Sequence, residues 1–294
     1  VAKIKEGKYK DFSMNEDERY ELYIAAWLHD CGKVATPPHV VDKGTKLETI
    51  FDRIELIKTR MELLKRDAEI AFLKRQLNGK STEPYDEKYF DTIKQINSEM
   101  KFLEECNIGG EYMDPKLQKR VSDIGSQKIV LNGQNQNLLT KEEIDNLNIP
   151  KGTLLPEERE IINDHIVITL EMLEQLPYPN NLKNVPEFAG GHHEKMDGTG
   201  YPKGLKGNQM STQAKIMAIA DIYEALTAAD RPYKDGKKLS QAMRIMGFMK
   251  NDYHIDEDLF EIFVTSGIYK KYANDYVAKG QIDEVDELAV IGKI

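Results

Sequence analysis

The stretch from Gly191 to Pro202 carries the densest set of chemically useful side chains in the sequence. It places two adjacent histidines, two carboxylates and glycines beside a tyrosine and a proline. Adjacent imidazoles suit a site with more than one metal ion, because neighbouring rings can reach different ions or different faces of one ion. Glycines allow a ligand to approach the main chain closely. The mixture predicts a functional loop rather than a segment chosen for burial alone.

A second motif, the pair His29 and Asp30, offers one nitrogen and one oxygen ligand from consecutive residues. Lys33 follows one turn later and supplies a positive charge. Imidazole and carboxylate groups suit the metals of phosphate chemistry, which also need positions left open for water and substrate. We therefore expect this pair and the loop to contribute to one metal centre.

Two further candidates are His165, on the apolar face of a predicted helix, and Asp221, between apolar neighbours of another helix. A lone histidine on an apolar face is usually a core residue, so a structural interpretation of His165 stays open. An unpaired buried carboxylate is expensive, and a cation beside Asp221 would offset that cost. The histidines His39 and His254 lie outside any motif, and we interpret them as surface or structural residues.

In order and character, the His-Asp pair and the loop sequence HHExxDGxGYP resemble the HD superfamily of metal-dependent phosphohydrolases, and its HD-GYP subfamily in particular. The resemblance extends from about Ala25 to about Phe263. It implies two or three divalent ions, iron or manganese, and a cyclic dinucleotide phosphodiesterase. The substrate would be cyclic di-GMP, opened to linear pGpG and GMP, or the mixed 3'3'-cyclic GMP-AMP. A metal-bound hydroxide would attack the phosphorus. The implied metal ligands are His29, Asp30, His165, His192, His193 and Asp221.

The same resemblance assigns roles around the substrate. Asp30 and Lys33 would be catalytic, with Lys33 at the scissile phosphate or the leaving oxygen. Arg231 would hold phosphate with its fork of donors, supported by Lys234. Gly200, Tyr201 and Pro202 would shape the nucleotide pocket.

A catalytically silent module is the alternative function, acting as a dinucleotide receptor or a protein-docking domain. The complete set of candidate ligands and Lys33 favour catalysis. Family members commonly supply a further histidine from an upstream helix, and no histidine precedes His29 here, which favours the silent module. Metal analysis followed by a turnover assay would discriminate between them. The Gly200–Pro202 loop weakens a third option, a nucleotide phosphohydrolase of the wider HD group.

Composition limits the possible partners and compartments. A formal charge of −9 argues against binding to a DNA or RNA polymer. The 2 cysteines make no disulfide framework, and the sequence has no apolar run long enough to span a bilayer. We expect a cytoplasmic location, including that of the cytoplasmic part of a membrane-anchored sensor. Because the chain opens with Val1 rather than Met, we also expect a sensory domain upstream of it.

Helical periodicity predicts an all-α fold, namely an HD-type helical bundle with a long antiparallel helical-hairpin insertion. Apolar residues from Leu47 to Ala71 alternate steps of three and four, as in a heptad seam, and a second stripe runs from Tyr89 to Leu103. Asn78 and Gly79 would open the turn between them, and Pro84 would close it. We interpret the hairpin as a strut or as the contact of a homodimer.

The predicted domains are a discontinuous HD-GYP catalytic domain (1–45 and 150–277), an insertion (46–149) and a tail (278–294). Other expected elements are a first helix capped by Asn15, no regular helix directly after Pro37, and a helix from Pro156 to Leu176. We further expect a helix after Ser211 and two helices within 239–277. Residues 107–155 are expected to be irregular apart from a short helix near 140–147, and short strands are expected near 128–131 and 286–291.

Overall fold

The computed structural model describes residues 1, 4–78, 87–110, 112–228 and 236–293. The chain forms two compact units, one built from Val1–Pro37 and Glu160–Ile294 and the other from Pro38–Arg159. The prediction of an all-α fold is confirmed, because the described strands form one two-stranded sheet. No described helix combines the length and the apolar character that crossing a bilayer requires.

Along the sequence, the second unit separates the two segments that form the first unit. In chain order they are α1 (Glu16–Leu28), α2 (Pro38–Val41), α3 (Ile54–Leu77), α4 (Glu87–Asn107), α5 (Pro115–Gly125), β1 (Lys128–Leu131), β2 (Gln134–Asn137), α6 (Lys141–Leu147), α7 (Pro156–Asn163), α8 (His165–Glu174), α9 (Val185–Gly190), α10 (Thr212–Thr227), α11 (Leu239–Asn251), α12 (Glu257–Thr265), α13 (Ile268–Tyr276) and α14 (Glu287–Ile291).

Side-chain caps begin the predicted helices α1 and α10. The side chain of Asn15 accepts a hydrogen bond from the Glu18 amide, and the Glu18 carboxylate accepts one from the Asn15 amide, so α1 begins with a capping box. Ser211 caps α10 through the amide of Ala214. The exclusion of helix after Pro37 is wrong, because Pro38 occupies the first turn of α2, where its missing N–H removes no helical hydrogen bond.

The predicted helix from Pro156 to Leu176 is interrupted at Asp164, so α7 and α8 are separate elements. Ile161, Met172 and Leu176 are exposed, so these apolar residues of the predicted helix do not share the buried face of His165. Because of this break, His165 is the first residue of α8. The face of α8 that packs against the core also differs from the one that a continuous helix would bury. That buried face consists of His165, Ile166, Thr169, Leu170 and Leu173.

In the second unit, α3 and α4 form the predicted hairpin, and cross-contacts show that the two helices run in opposite directions. Near one end, Lys58 of α3 pairs with Glu104 of α4 at 3.0 Å. At the other end the ring of Phe72 stacks on Tyr89. The predicted seam begins too early, because α3 starts at Ile54 and the preceding Ile50 is almost fully exposed. Gly79 and Pro84 of the predicted turn lie outside the described residues.

The segment after α4 is more ordered than the sequence indicated. Asp114 caps α5, which lies within the region expected to be irregular. The short helix near 140–147 and the strand at 128–131 are confirmed as α6 and β1, and β1 pairs with β2 in an antiparallel hairpin. The strand expected at 286–291 is wrong, because α14 occupies those positions, with Asp286 as its cap.

The second unit covers residues 38–159, so its boundaries lie about ten residues outside those of the predicted insertion, 46–149. The last residues of the chain also differ from the predicted tail, since apolar side chains from them pack against the core that contains Phe260 and Tyr269. The tail residues in this core are Ile282, Val285, Val290 and Ile291. We therefore describe them as part of the first unit.

Candidate metal centre

Three helix ends and one helix interior bring the candidate ligands together within the first unit. His29 and Asp30 follow α1, and His165 opens α8. His192 and His193 follow α9, and Asp221 lies within α10. Helix ends suit this purpose, because the chain leaves the helical path there and side chains can turn toward a common point.

Gly32 permits the close approach of the His-Asp segment to α8. A Cβ atom at this position would lie 2.0 Å from the carbonyl oxygen of His165 and 2.6 Å from the amide nitrogen of Thr169. In addition, the amide of Gly32 donates a hydrogen bond to Oγ1 of Thr169 at 2.9 Å. Glycine is therefore required here by packing, and this contact holds Asp30 beside His165.

Three of the four histidines are oriented in the same way. The Nδ1 atom of His29 lies 2.7 Å from the carbonyl oxygen of Ala26, three residues earlier. The Nδ1 atoms of His165 and His192 make the same contact, at 2.5 and 2.6 Å, with the carbonyls of Ile162 and Ala189. When such a ring is neutral and donates its proton from Nδ1, its Nε2 atom keeps a free lone pair. A backbone hydrogen bond of this kind is what orients histidine ligands in metal sites.

The free Nε2 atoms converge on Asp30. His165 Nε2 lies 3.2 Å and His192 Nε2 3.9 Å from Oδ1 of this carboxylate. His193 Nε2 lies 3.3 Å from His165 Nε2. The ligand atoms of Asp30, His165, His192 and His193 all lie within 4.8 Å of one another.

The second oxygen of Asp30 belongs to another cluster. Its Oδ2 atom lies 3.4 Å from His29 Nε2, and that nitrogen lies 3.5 Å from Oδ1 of Asp221. His29, Asp30 and Asp221 form a second group with metal-ligand spacing. Asp30 is thus shared between two clusters and presents one oxygen to each.

Two buried atoms indicate that this arrangement fits bound cations. Asp30 Oδ1 and His192 Nε2 are buried, and neither has a hydrogen-bond partner among the residues that the structure describes. Buried polar atoms are normally paired, and an exception requires a physical explanation. A lone pair on nitrogen and a carboxylate oxygen repel each other at short distance, whereas a divalent cation would satisfy both. The nitrogen and oxygen donor set also suits iron or manganese.

The protonation states of the site are those that metal binding needs. Burial lowers the pKa of His192, and burial together with the charges of His192 and His165 lowers the pKa of His193 to about 3. Burial opposes ionisation of Asp30, but the close approach of His165 and the hydrogen bond from Lys33 outweigh it and hold the pKa of this carboxyl well below its usual range. Neutral imidazoles and an ionised carboxylate are the forms that bind metals.

In the second cluster, the pKa of His29 is raised rather than lowered. Burial would lower the pKa of His29, but its hydrogen bond to Asp221 and the charge of Asp30 outweigh burial and raise that pKa. Burial likewise opposes ionisation of Asp221, and the hydrogen bond from His29 lowers its pKa instead. The two carboxylates therefore stabilise a proton on Nε2 of His29, and a cation would take the place of that proton.

Hydrogen bonds to Glu194 and the absence of a side chain at Gly200 stabilise the loop after His192 and His193. Glu194 is buried and accepts hydrogen bonds from the amides of Lys203 and Leu205, at 2.7 and 2.8 Å. A Cβ atom on Gly200 would lie 2.4 Å from the amide nitrogen of Lys195, so this tight return of the loop requires glycine. The ring of Tyr201 stacks on His193, with 4.9 Å between ring centroids and 19° between planes.

The remaining predicted substrate residues divide into two groups. Lys33 is near the centre, and its Nζ atom donates to Oδ2 of Asp30 at 2.5 Å. Arg231 and Lys234 lie outside the described residues. Away from the centre, His39 lies in the second unit and is exposed. His254 is half-buried, and none of the clusters with metal-ligand spacing in the described part of the chain includes it.

Sequence reasoning missed the backbone carbonyls that orient the rings. Ala26, Ile162 and Ala189 each lie three residues before a histidine, but their side chains carry no chemical signal. His165 falls inside a predicted helix and no helix is predicted before His192, so no recurring sequence signal indicated these contacts.

Comparison with known proteins agrees with this geometry. Residues 141–259 match the family model of the HD domain. The chain is 29% identical over 223 residues to a cyclic di-GMP phosphodiesterase of Thermotoga maritima, covering 69% of this chain and 58% of the relative. It is 42% identical over 80 residues to the 3'3'-cGAMP-specific phosphodiesterase 1 of Vibrio cholerae, covering 27% of this chain and 18% of the relative. The 3'3'-cGAMP-specific phosphodiesterase 3 of that organism is 38% identical over 95 residues, or 32% of this chain and 20% of the relative.

These matches span less than two thirds of each relative's own length. They nevertheless agree with one another, with the matched HD domain and with the His-Asp and HHExxDGxGYP motifs. Residues 141–259 thus match the HD domain, and the motifs of the chain resemble those of the HD-GYP subfamily.

Proposed function

We propose that this protein is a metal-dependent phosphodiesterase that hydrolyses a cyclic dinucleotide. The observation that carries the proposal is the sharing of Asp30 between two clusters of neutral or carboxylate-paired imidazoles, with its Oδ1 atom buried and unpaired. One ion would be held by Asp30 with His165, His192 and His193. A second would be held by His29, Asp30 and Asp221. Iron and manganese are the metals that the family resemblance favours.

The described residues have separate roles in this proposal. Divalent ions, when bound, polarise a phosphoryl oxygen and make water a stronger nucleophile. The carbonyls behind His29, His165 and His192 fix the rings, so the ligand atoms need no rearrangement when the ions bind. Asp30 would supply negative charge to both positions.

Lys33 would bind the substrate phosphate. Its ammonium group rests on Asp30 Oδ2 and is partly exposed, so it can turn outward once a cation satisfies that oxygen. Tyr201 presents a ring at the edge of the centre, stacked on His193, and can line the side of a nucleotide pocket. The backbone of Gly200 allows that ring to lie close to the centre. Arg231 and Lys234 remain predicted phosphate contacts.

The similar proteins support a cyclic dinucleotide as the substrate class. Their names divide between cyclic di-GMP and 3'3'-cGAMP, which differ in one nucleobase. Both share the phosphodiester ring that the metal centre and Lys33 would engage. We propose cyclic di-GMP and 3'3'-cGAMP as the two substrates to compare.

The test combines metal analysis with turnover on the full chain. The protein is loaded with iron or manganese, its metal content is measured, and release of linear dinucleotide is followed for both substrates. We expect about two ions per chain and turnover of at least one substrate. Asp30→Asn keeps the shape of the side chain but removes its charge from both clusters. It should lower metal content by at least about tenfold and abolish turnover.

A matched variant and two outcomes make this test decisive. Asp123→Asn makes the same chemical change on α5 of the second unit and should keep both metal content and turnover. Failure to bind metal in the wild-type protein would refute the metal centre. Full metal loading with dinucleotide binding but no turnover would refute catalysis and support the silent receptor instead.

A further inference from the structure

Helix α3 carries a second apolar stripe that is distinct from the face packed against α4. Leu56, Leu63, Ile70 and Leu77 recur at intervals of seven residues along this helix. All four are exposed, by 46%, 40%, 48% and 86% respectively. Leu73, exposed by 46%, lies three residues beyond Ile70 and widens the stripe. We call these five residues the outer seam.

The outer seam lies on the far side of α3 from the hairpin core. The core face of α3 is made by Ile57 and Met61, which are fully buried against α4, and by Leu64 beside them. At 100° per residue, the centres of the two faces are roughly 160° apart. The core of the hairpin is therefore formed without the outer seam, and packing among the described residues does not account for these side chains.

A strict seven-residue repeat is typical of a coiled-coil seam and not of a surface that packs irregularly. From Leu56 to Leu77 the repeat covers three heptads and about 32 Å of helix. Isolated exposed leucines are common on protein surfaces, but a row in heptad register along one helix indicates a helical partner. Packing against α4 already stabilises α3. A binding partner would therefore not have to order further residues of this chain.

We infer that the outer seam binds α3 of a second copy of this chain, and that the two helices form a parallel two-stranded coiled coil. In heptad terms Leu56, Leu63, Ile70 and Leu77 occupy position a, and Leu73 occupies position d. A two-fold axis along the seam would bring each of these residues against its equivalent. The surface is then self-complementary, as a dimer with two-fold symmetry requires.

The charges that flank the seam select the parallel orientation. One flank, at the g positions, carries Glu55, Glu62 and Glu69, and the other carries Lys74 at an e position. In an antiparallel pair each g row faces the g row of the partner, which places glutamates opposite glutamates. In a parallel pair g positions face e positions, so Glu69 faces Lys74 of the second copy.

Of the other two g–e pairs in a parallel dimer, one joins opposite charges and the other joins like charges. Glu55 would face Arg60 of the second copy, although Arg60 already bonds Glu143 within its own unit. Glu62 would face Asp67 of the second copy, which is unfavourable. Arg66 occupies a d position, where a charged residue lowers stability and fixes the register. Thr59 at another d position adds a second polar layer, and with three heptads and two polar layers we expect a dimer that dissociates on dilution.

Sedimentation equilibrium of the full chain over a range of concentrations tests the inference. The wild-type protein should show a monomer–dimer equilibrium. The double variant Leu63→Lys with Ile70→Lys places four ammonium groups in the seam of a dimer and should raise the dissociation constant by at least about 100-fold. Circular dichroism should show unchanged helix content, because both side chains are exposed and neither belongs to the hairpin core.

The matched control replaces two equally exposed apolar residues elsewhere in the same unit. Leu117→Lys with Val130→Lys adds the same charge on α5 and β1 and should leave the dissociation constant within about threefold of the wild-type value. A wild-type protein that stays monomeric at every concentration would overturn the inference. So would a dimer that survives the seam variant, or one that the control weakens equally.

Disulfide cross-linking tests the orientation. A Leu77→Cys variant should cross-link to itself under mild oxidation, because the two copies of position 77 meet in a parallel pair. Cross-links between a Leu77→Cys copy and a Leu56→Cys copy, in place of this product, would show that the helices run antiparallel and would overturn the proposed geometry. The wild-type chain, whose Cys106 is buried, serves as the blank.

Discussion

The burial of His193 predicts how the stability of the metal-free protein depends on pH. In the folded state burial and the neighbouring imidazoles lower the pKa of His193 from 6.5 to about 3. An unfolded chain binds a proton at this residue below about pH 6.5, whereas the folded protein does not until near pH 3. Between these two values the unfolded state holds more protons, so the free energy of unfolding falls as the pH falls.

The magnitude follows from proton linkage. Each pH unit well below 6.5 changes the free energy of unfolding by about 1.4 kcal/mol per group. Between about pH 7 and pH 5.5 the contribution of His193 alone is about 1 kcal/mol, since titration of the unfolded state begins within this window. His29, whose pKa is raised, contributes stability that is present below pH 6.5 and is lost as the pH rises. Comparing variants at the same two pH values removes that contribution.

Urea denaturation in the presence of a chelator measures the effect. The wild-type protein should lose more stability between about pH 7 and pH 5.5 than His193→Gln, by about 1 kcal/mol. His39→Gln, which removes an exposed imidazole from the other unit, should retain the wild-type difference. Equal losses in wild type and His193→Gln would show that burial of this ring does not control its protonation.

Three other substitutions test separate parts of the argument. Gly32→Ala should reduce stability by about 1–3 kcal/mol in chemical denaturation and lower metal content, because its Cβ would press on the carbonyl of His165. Gly280→Ala, where a Cβ would meet no atom within 4 Å, should stay within about 0.5 kcal/mol of wild type. Glu194→Gln should cost about 1–3 kcal/mol in the same measurement, because an amide group would face a backbone N–H. Lys33→Met should keep full metal content by elemental analysis but lower kcat/KM by at least about tenfold; reduced metal content would instead indicate a role in supporting Asp30.

Much of the fold follows from local sequence. Asn15 and Ser211 start helices because their side chains bond amides two or three residues away, and such contacts need no distant partner. The two helices of the hairpin follow from long apolar periods. The break at Asp164 could not be predicted in this way, since Pro156 through Leu176 reads as one continuous helical pattern. Packing of α8 against other elements decides which face is buried.

The sequence by itself determined which functional groups are available. The types of His29, Asp30, the adjacent pair His192 and His193, and the glycines of the loop are read directly from the chain. Their chemistry limits the site to hard or borderline metals, whatever the fold. Their role as ligands stays a prediction until metal is measured.

Only the tertiary structure decided how these groups are arranged. The sharing of Asp30 between two clusters depends on the approach of helix ends that are far apart in sequence, and on the absence of a side chain at Gly32. The free nitrogen on each ring depends on a carbonyl whose direction is set by the backbone. The outer seam of α3 likewise became visible once α4 had been seen to cover the opposite face. Distance and direction arise from packing, and packing is a property of the whole chain rather than of any short stretch of it.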